Sequence, residues 1–410
     1  MTAGPLSKIR VLDLSRILAA PWAAQMLGDV GAEVIKVERP GKGDDSRLFG
    51  PPFLKDRDGN NTQESSFYIS ANRNKKSITC DISKPEGQKL IKSLILHCDV
   101  LLENYKVGDL NRYGLDYASL KAINPGLIYC SITGFGQTGP YSFRPGYDAI
   151  FQAMGGLMSI TGNADGDPGG GPMKTGPSLA DIICGQYAVF AIMTALYHRD
   201  INNGEGQYID LALLDSLIAS TSHYASHYLV SGEIPIRRGT EGNGSMPARL
   251  FRCIDGDIMV VAGNNEQYSR LCHVLGCSEF IKDPRFAQNA ERVINRRALG
   301  EVLEPLFLKW KMRDLLVTLE NSGVPSGPVN NLNAVFEDAH VQARRMCVEV
   351  NHPLTDNKVK LVANPIKFSV TPIESYSPPP MIGQHTYEVL SKLLEMSITD
   401  IEHLQNKKII

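Results

Sequence analysis

Short apolar runs alternate with helical patterns along the first half of the chain. The predicted strands are residues 9–14, 33–38, 99–103 and 127–133. The predicted helices between them are residues 21–28, 85–96 and 116–123. Because strands and helices alternate, we predict an α/β fold, a Rossmann-like parallel sheet covered by helices, with ligands at the carboxyl ends of its strands.

The second half of the chain has a different pattern, with two loops rich in glycine and proline. One loop spans 161–177 and precedes an apolar helix predicted over 178–199, which is followed by a strand at 207–211 and a helix at 213–229. The other loop spans 239–247. The predicted elements beyond it are a hairpin at 250–254 and 257–262, turning at Asp255 and Gly256, and helices to about residue 321.

This change of pattern predicts two domains, as does the length of 410 residues. We predict a large Rossmann-like domain over 1–225, a small α+β domain over 226–322, and a return to the large domain over 323–410. The apolar fraction of 43% and the charged fraction of 21% are those of a globular protein.

Charge and cysteine content narrow the classes of function. A formal net charge of -2 gives no overall attraction to nucleic acid, so DNA and RNA are not expected partners. Eight cysteines without a CxxC pair predict free thiols in a reducing compartment. The longest apolar run, 182–197, is shorter than the roughly 20 residues of a membrane span, so no transmembrane segment or membrane partner is predicted. The residues before Ile9 contain no pattern of a targeting peptide.

Two other sites, one for a dinucleotide and one for a metal, are each indicated by only part of the expected pattern. Glu38 ends a strand where an acidic residue can bind a ribose, but the turn at 15–21 lacks the GxGxxG glycines of a dinucleotide site. His223 and His227 have a spacing that can hold a metal, yet no HExxH and no third ligand accompany them. We therefore predict neither NAD nor metal binding.

Asp181 is the best candidate for chemistry. It follows the glycine-rich loop in the first turn of an apolar helix, where the helix dipole favours an anion and should keep the carboxylate ionised. An ionised carboxylate can act as a nucleophile. Acidic residues are also common in first turns as caps, so the pattern alone leaves both interpretations open.

Several segments, in register, carry a family resemblance. They are 11–21 (VLDLSRILAAP), 27–40 (LGDVGAEVIKVERP), 74–77 (NKKS), 99–105 (DVLLENY), 144–148 (RPGYD) and 323–329 (GVPSGPV). Together they resemble the class III CoA-transferases over nearly the whole chain.

The resemblance implies the residues of the site. It places the catalytic aspartate at Asp181 and a substrate loop at Gly242, Asn243 and Gly244. The implied CoA contacts are Leu18, Ala19, Arg39, Cys80, Asp81, Asn104, Tyr105, Lys106, Arg112, Arg144 and Tyr147. Arginine and lysine suit the phosphates of CoA. Leu18 differs from the glutamine of formyl-CoA transferases, which argues against formyl or oxalyl transfer.

The resemblance also implies a reaction. CoA would pass from succinyl-CoA to a dicarboxylic acid such as glutarate or hydroxymethylglutarate, through an aspartyl mixed anhydride and an aspartyl-CoA thioester. No cofactor would be bound permanently, and the CoA thioester is a substrate. An interlocked homodimer in the mitochondrial matrix is further implied.

Two competing functions stay open. The α-methylacyl-CoA racemases share this fold and the aspartate, but where they carry a histidine base this sequence has Tyr147, and a phenol is a poor base at neutral pH. A non-catalytic CoA-binding protein would keep its role without the carboxylate of Asp181.

Overall fold

The computed structural model of the protein describes residues 4–410. The strands are β1 (Arg10–Asp13), β2 (Glu33–Glu38), β3 (Phe53–Lys55), β4 (Asn61–Ser65), β5 (Lys75–Thr79), β6 (Val100–Glu103), β7 (Ile128–Thr133), β8 (Tyr208–Ala212), β9 (Ala248–Arg252), β10 (Asp257–Val261), β11 (Ser326–Pro328), β12 (Cys347–His352) and β13 (Thr355–Val362). The helices are α1 (Ala19–Asp29), α2 (Ser66–Ser70), α3 (Pro85–Ile95), α4 (Tyr117–Lys121), α5 (Asp148–Met154), α6 (Leu157–Ile160), α7 (Leu179–Ile201), α8 (Leu213–Ser220), α9 (His223–Ser231), α10 (Asn265–Leu275), α11 (Asn289–Ile294), α12 (Arg296–Phe307), α13 (Met312–Asn321), α14 (Leu332–Glu337), α15 (Ala339–Ala343), α16 (Thr386–Leu393) and α17 (Ile398–Asn406).

The chain divides into two compact units. Unit 1 comprises the described residues up to 157, together with 175–230 and 342–410, and unit 2 comprises 158–174 and 231–341. The sequence prediction differs at three places. Helix α9 keeps the chain in unit 1 up to Val230, and β11 pairs with β10, which keeps the chain in unit 2 well beyond residue 322. Residues 158–174 were assigned to the large domain, yet Gly162 accepts a hydrogen bond from the Gly239 N–H within unit 2.

Unit 1 is built on a six-stranded sheet in the order β5-β2-β1-β6-β7-β8, and every pair is parallel. The strands are short and apolar because both faces are covered, which is typical of a parallel sheet. Numbered in chain order within this sheet, the six strands run 3-2-1-4-5-6, which is the order of dinucleotide-binding folds. The predicted Rossmann-like parallel sheet is confirmed.

Helices form a layer on each face of this sheet. On one face α3 contributes Leu90, Ile91 and Leu94 to a core that also contains Leu390 of α16. On the other face α1 and α7 pack together through small residues, and Ala23 and Ala188 belong to the same core. A Cβ at Gly185 would lie 2.7 Å from the Ala19 carbonyl oxygen, so glycine is what permits this close approach of α7 to α1.

Helix α7 lies within two residues of the helix that the sequence predicts over 178–199. Among residues 4–410 it is the one helix that is long and apolar enough to cross a membrane, judged by length and composition alone. Its 23 residues include the apolar run 182–197 and continue on both sides of it. The face of α7 that packs on α1 and the sheet makes it a layer of unit 1, and a core helix meets the same criterion as a membrane span.

Unit 2 has its own core. Strands β11, β10 and β9 form an antiparallel sheet in that order, and β9 and β10 are the predicted hairpin, which begins two residues earlier than expected. Helices α10, α12 and α13 contribute to the core beside it. Phe251 and Phe307 stack at the centre of this core with ring centroids 4.0 Å apart.

All eight cysteines are free thiols, as predicted, and seven of them are buried.

Candidate active site

The carboxyl edge of the large sheet forms the candidate site. Strand β1 lies beside β6, and the sheet extends in opposite directions from this pair, which is where ligands bind in open α/β sheets. The chain leaves β1 through residues 15–18, named here the β1–α1 turn, and leaves β6 at Asn104. Both segments therefore lie at the mouth of this crevice.

A cavity of about 370 Å³ opens at this position, and we call it the main cavity. It gathers most of the predicted site. The predicted residues that line it are Leu18, Ala19, Asn104, Tyr105, Lys106, Arg144, Tyr147 and Asp181. They come from four different segments of unit 1, so the fold brings together side chains that are far apart in sequence.

A second cavity of about 260 Å³ lies along the same edge. Its lining includes the predicted residues Arg39, Cys80, Asp81 and Tyr105, and Tyr105 also lines the main cavity. Burial, reinforced by the nearby charge of Asp81, raises the pKa of the Cys80 thiol to about 12. Cys80 therefore stays a neutral thiol at physiological pH and offers surface rather than a nucleophile.

Arg112 and the substrate loop are not part of these cavities. The Arg112 guanidinium is exposed and pairs with Asp109 at 3.0 Å, and Arg112 lines neither cavity. The loop of Gly242, Asn243 and Gly244 belongs to unit 2.

Side chains of unit 2 bind the carbonyl oxygens of this loop. Arg296 donates to the Gly242 oxygen at 3.2 Å and to the Asn243 oxygen at 3.3 Å, and Asn289 donates to the Gly244 oxygen at 2.9 Å. A Cβ at Gly244 would meet nothing within 4 Å, so packing inside unit 2 does not require glycine there.

Asp181 lies in the first turn of α7, half-buried on the wall of the main cavity. Its carboxylate accepts a hydrogen bond from the backbone N–H of Ala19, the first residue of α1. The amino end of α7 itself is capped from another helix, because Asp148 of α5 accepts the Ala180 N–H at 2.8 Å. Asp181 thus faces the start of α1, while Asp148 takes the capping position on α7.

The prediction that the helix dipole keeps the Asp181 carboxylate fully ionised was wrong. Burial, with a further contribution from the charge of Asp148, raises the pKa of Asp181 to about 7, and the Ala19 N–H only partly offsets them. A carboxyl group with this pKa is partly protonated at neutral pH. Such a shift is common at catalytic positions, where burial sets the protonation state of the reacting group.

Four charged residues of the main cavity, Arg16, Asp45, Asp109 and Asp148, were missed as site residues. Arg16 and Arg39 both pair with Asp45, so one carboxylate joins two arginines beside the cavities. Asp148 lies in the quoted segment 144–148, and Arg16 lies at the carboxyl end of a predicted strand. These positions in the sequence could have indicated both residues as site residues, but the sequence does not show which side chains they contact.

Another cavity of unit 1 lies elsewhere. It measures about 510 Å³ and is lined by Gly28, Glu33, Lys76 and His385 among others. Glu33 and Val34 begin β2, so this cavity lies at the amino edge of the sheet, away from Asp181. Among residues 4–410 no three His, Cys, Asp or Glu side chains are grouped to hold a metal.

The sequence profile of CoA-transferase family III matches residues 6–386. The chain therefore belongs to CoA-transferase family III, and the predicted family is confirmed. It is 45% identical over 389 residues to the succinate–glutarate CoA-transferase of Agrobacterium fabrum, covering 95% of this chain and 96% of that protein. It is 43% identical to the human succinyl-CoA:glutarate CoA-transferase, covering 95% and 86% of the two chains. The crystal structure of a CaiB/BaiF family protein from Brucella suis superposes with a TM-score of 0.85 at 43% identity, covering 96% of this chain and all of that one.

Proposed function

We propose that this protein transfers CoA from succinyl-CoA to glutarate, with Asp181 as the nucleophile. The observation that carries the proposal is the position of the Asp181 carboxyl group on the wall of the main cavity, among residues predicted to bind CoA. The names of the Agrobacterium, mouse and human relatives support the choice of substrates.

The first half of the reaction loads CoA onto the enzyme. The ionised Asp181 carboxylate attacks the thioester carbon of succinyl-CoA, the C–S bond breaks, and CoA leaves as a thiolate. The thiolate then attacks the aspartyl carbonyl carbon of the mixed anhydride, which releases succinate and leaves an aspartyl-CoA thioester. Covalent catalysis of this kind divides one difficult exchange into easier steps.

The second half repeats these steps with the acceptor. A carboxylate of glutarate attacks the aspartyl-CoA carbonyl, CoA leaves as a thiolate, and an aspartyl–glutaryl anhydride forms. The thiolate attacks the glutaryl carbonyl carbon, which produces glutaryl-CoA and restores the Asp181 carboxylate. The Ala19 N–H, which already binds this carboxylate, is placed to stabilise negative charge on the aspartyl oxygen.

The two cavities suggest how CoA is divided along the edge of the sheet. Arg39, Cys80 and Asp81 in the second cavity would contact the adenine and phosphate end, and Arg144 and Tyr147 in the main cavity would contact the pantetheine arm. Arg112, which is paired with Asp109 and outside both cavities, has the weakest support among the proposed contacts.

Water must be excluded because both intermediates hydrolyse readily. We assign this role to the loop of Gly242, Asn243 and Gly244. Its support is the open space around Gly244, which leaves room for an acyl group, together with the carbonyl contacts from Arg296 and Asn289 that hold the loop in shape.

Replacement of Asp181 by Ala and by Asn tests the function directly. With succinyl-CoA and glutarate, formation of glutaryl-CoA followed by mass spectrometry should fall by at least about a thousandfold in both variants, since each removes the nucleophile. Turnover close to that of the unchanged enzyme would contradict the proposal. Binding of CoA without turnover in the unchanged enzyme would favour a non-catalytic binding protein, and exchange of the α-proton of a branched acyl-CoA would favour a racemase.

Quaternary structure and location are also proposals. Large apolar side chains, including Phe190 and Tyr197 of α7 and Leu229 and Val230 of α9, are exposed in the single chain, which supports a homodimer. Light scattering after size exclusion should give about twice the mass of the chain. The mitochondrial matrix stays a prediction, tested by fractionation of cells that make the full-length protein.

A further inference from the structure

The β1–α1 turn is held by side chains at five consecutive backbone polar groups. Ser15 donates its N–H to Asp13 at 3.0 Å and accepts from the Lys36 ammonium at 2.9 Å. Arg16 donates its N–H to the Asn104 side-chain oxygen at 2.9 Å and accepts from the Asn104 amide nitrogen at 2.6 Å. Ile17 donates its N–H to Asp44 at 3.1 Å. The turn therefore has its conformation imposed by residues outside it.

The conformation that these contacts impose is unfavourable for the residue that adopts it. Ile17 has a φ of +71°, in the left-handed region where a β-branched side chain is a rare outlier. The Cβ atom crowds a carbonyl oxygen in this region, so a free chain would move Ile17 to negative φ. Strain of this kind persists where the surroundings enforce it, and it is concentrated at functional sites.

The groups behind the turn are themselves fixed by burial and charge. Lys36 and Asp44 form an ion pair of 2.8 Å with both side chains fully buried, and Asp13 pairs with Lys75 at 2.9 Å in the same way. Burial alone would raise the pKa of Asp44, but the Lys36 ammonium and bonds from Ser46 hold it at about 2. These anions are therefore charged at every pH at which the enzyme would be assayed.

The turn leads straight to the nucleophile of the proposed reaction. Leu18 follows Ile17 and gives α1 no side-chain cap, and the next N–H, that of Ala19, binds the Asp181 carboxylate. Two groups outside α7 act on the pKa of Asp181. The charge of Asp148, in α5, raises it, and the neutral Ala19 N–H, at the start of α1, lowers it. A change at Ile17 would therefore move the Ala19 N–H, a backbone donor that stabilises ionised Asp181.

We propose that Asn104 is a positioning residue which, with Asp44, holds Ile17 in its left-handed conformation and thereby keeps the Ala19 N–H on the Asp181 carboxylate. This inference rests on the proposed function of Asp181. It also changes the role of Asn104, which the sequence predicted as a CoA contact, because both polar atoms of its amide are bonded to Arg16.

The first test is the pH dependence of Asn104→Ala. Loss of the Ala19 contact raises the pKa of Asp181 further, so kcat/KM should fall about five- to tenfold at pH 7 but only within about twofold at pH 9. The loss should be carried by kcat, with KM for succinyl-CoA changed less than about twofold. Asn104→Asp keeps an acceptor for the Arg16 N–H but has no donor for its oxygen, so its effect should be intermediate.

Asn124→Ala is the matched control. Asn124 is half-buried like Asn104, and it binds backbone oxygens of Ile95 and Cys98 at 2.9 Å each. It lies before β7, at the amino edge of the sheet, so its loss should lower stability without moving the pH profile. A loss in Asn104→Ala that is equal at all pH values, confined to KM, or absent would overturn the proposal.

Ile17→Gly tests the strain itself. Glycine adopts positive φ without steric cost, so it has no preference for leaving the native turn when the Asn104 contacts are removed. The shift in pH profile caused by Asn104→Ala should therefore be smaller in the Ile17→Gly background than in the unchanged protein. Equal shifts in both backgrounds would contradict the role of Ile17.

A measurement that needs no turnover separates this inference from the proposed function. The difference in unfolding midpoint between a protein and its Asp181→Asn counterpart follows the titration of Asp181. This difference should level off near pH 7 in the unchanged protein and about one pH unit higher in Asn104→Ala. An unchanged curve overturns the positioning role, whereas a shifted curve with full turnover in Asp181→Asn overturns only the proposed function.

Discussion

At the scale of single residues, the site depends on two opposed requirements for the carboxyl group of Asp181. Asp181 must be ionised to attack a thioester, yet burial and the charge of Asp148 raise its pKa to about 7. The same burial removes water that would otherwise solvate the carboxylate and hydrolyse the intermediates. The protein therefore holds Asp181, the proposed nucleophile, near half-ionisation at neutral pH, and the Ala19 N–H favours the ionised form.

This balance predicts a pH dependence of activity. Only ionised Asp181 is reactive, so kcat/KM should rise about tenfold per pH unit below pH 7 and level off above it. Asp148→Asn keeps an oxygen for the Ala180 N–H but removes the neighbouring charge, so the rising limb should move to lower pH. Steady-state rates between pH 5.5 and 9 measure both effects, and a limb that stays in place in Asp148→Asn would count against the charge of Asp148 as a cause.

Gly244 offers a second test at this scale. Because a Cβ there meets nothing inside unit 2, Gly244→Ala should fold with an unchanged unfolding midpoint. If the loop covers the acyl group, the added methyl should lower kcat/KM about tenfold or more. Gly327→Ala is the matched control, since its Cβ also meets nothing within 4 Å and Gly327 lies in β11. Equal rates in the two variants would remove the loop from the site.

At the scale of elements, the chain order of the large sheet could be predicted from its apolar runs. The strand at 33–38 has its predicted bounds, and β1, β6, β7 and β8 lie within a residue of theirs. Strand β5 was not predicted because its residues Lys75 and Lys76 read as polar. Lys75 is buried all the same, since its ammonium group is bound by Asp13, Asn72 and the Pro21 oxygen. A contact between distant segments cannot be recognised from local composition.

The predicted helix at 213–229 shows a different limit. The structure breaks it into α8 and α9 at Ser222, whose φ is +50°, although no glycine or proline marks the position. The site shows the same limit. The sequence and its family resemblance indicated Asp181 and several other residues of the cavity wall, but the partners that set the pKa of Asp181 depend on how α1, α5 and α7 meet. The roles of the individual site residues stay predictions.

We expect the hydrogen bonds of Arg292 to stabilise unit 2. This arginine in α11 is fully buried and pairs with no carboxylate among residues 4–410, and its donors bind the oxygens of Met246, Phe286 and Gly263 at 2.6–2.9 Å. Arg292→Met should lower the stability of unit 2 by about 2–4 kcal/mol, because three buried oxygens lose their donors. Thermal unfolding of this variant and of the exposed control Arg252→Met measures the difference; similar midpoints would contradict the structural role.

At the scale of the whole molecule, the fold buries its catalytic candidate, Asp181, at a position where ionisation of the carboxyl group lowers the stability of the protein. Asp181 lies on the wall of the cavity at the carboxyl edge of the six-stranded sheet, beside β1 and β6, and helices on both faces of the sheet bury the surroundings of that carboxyl group. A raised folded-state pKa means that the stabilising contribution is complete below the unfolded-state pKa and is lost as the pH rises through about 7. The protein is therefore less stable when Asp181, the proposed nucleophile, is charged.

Asp181→Asn should therefore stabilise the protein, and more so at high pH. Relative to the unchanged protein, the variant should gain on the order of 1–2 kcal/mol more at pH 8 than at pH 5.5, because only the aspartate becomes charged over that interval. Unfolding midpoints at the two pH values measure the change. A gain that is the same at both would show that burial does not penalise the ionised form.

The most direct test of the proposed chemistry follows oxygen atoms from the acceptor acid. Glutarate labelled with oxygen-18 in its carboxylates attacks the aspartyl-CoA thioester and shares one labelled oxygen with the aspartyl group in the anhydride. When the thiolate then attacks the glutaryl carbonyl carbon, that oxygen stays with Asp181. After many turnovers, mass spectrometry of the peptide that contains Asp181 should show both side-chain oxygens exchanged for oxygen-18. An unlabelled Asp181 in an enzyme that has produced glutaryl-CoA would contradict the covalent mechanism.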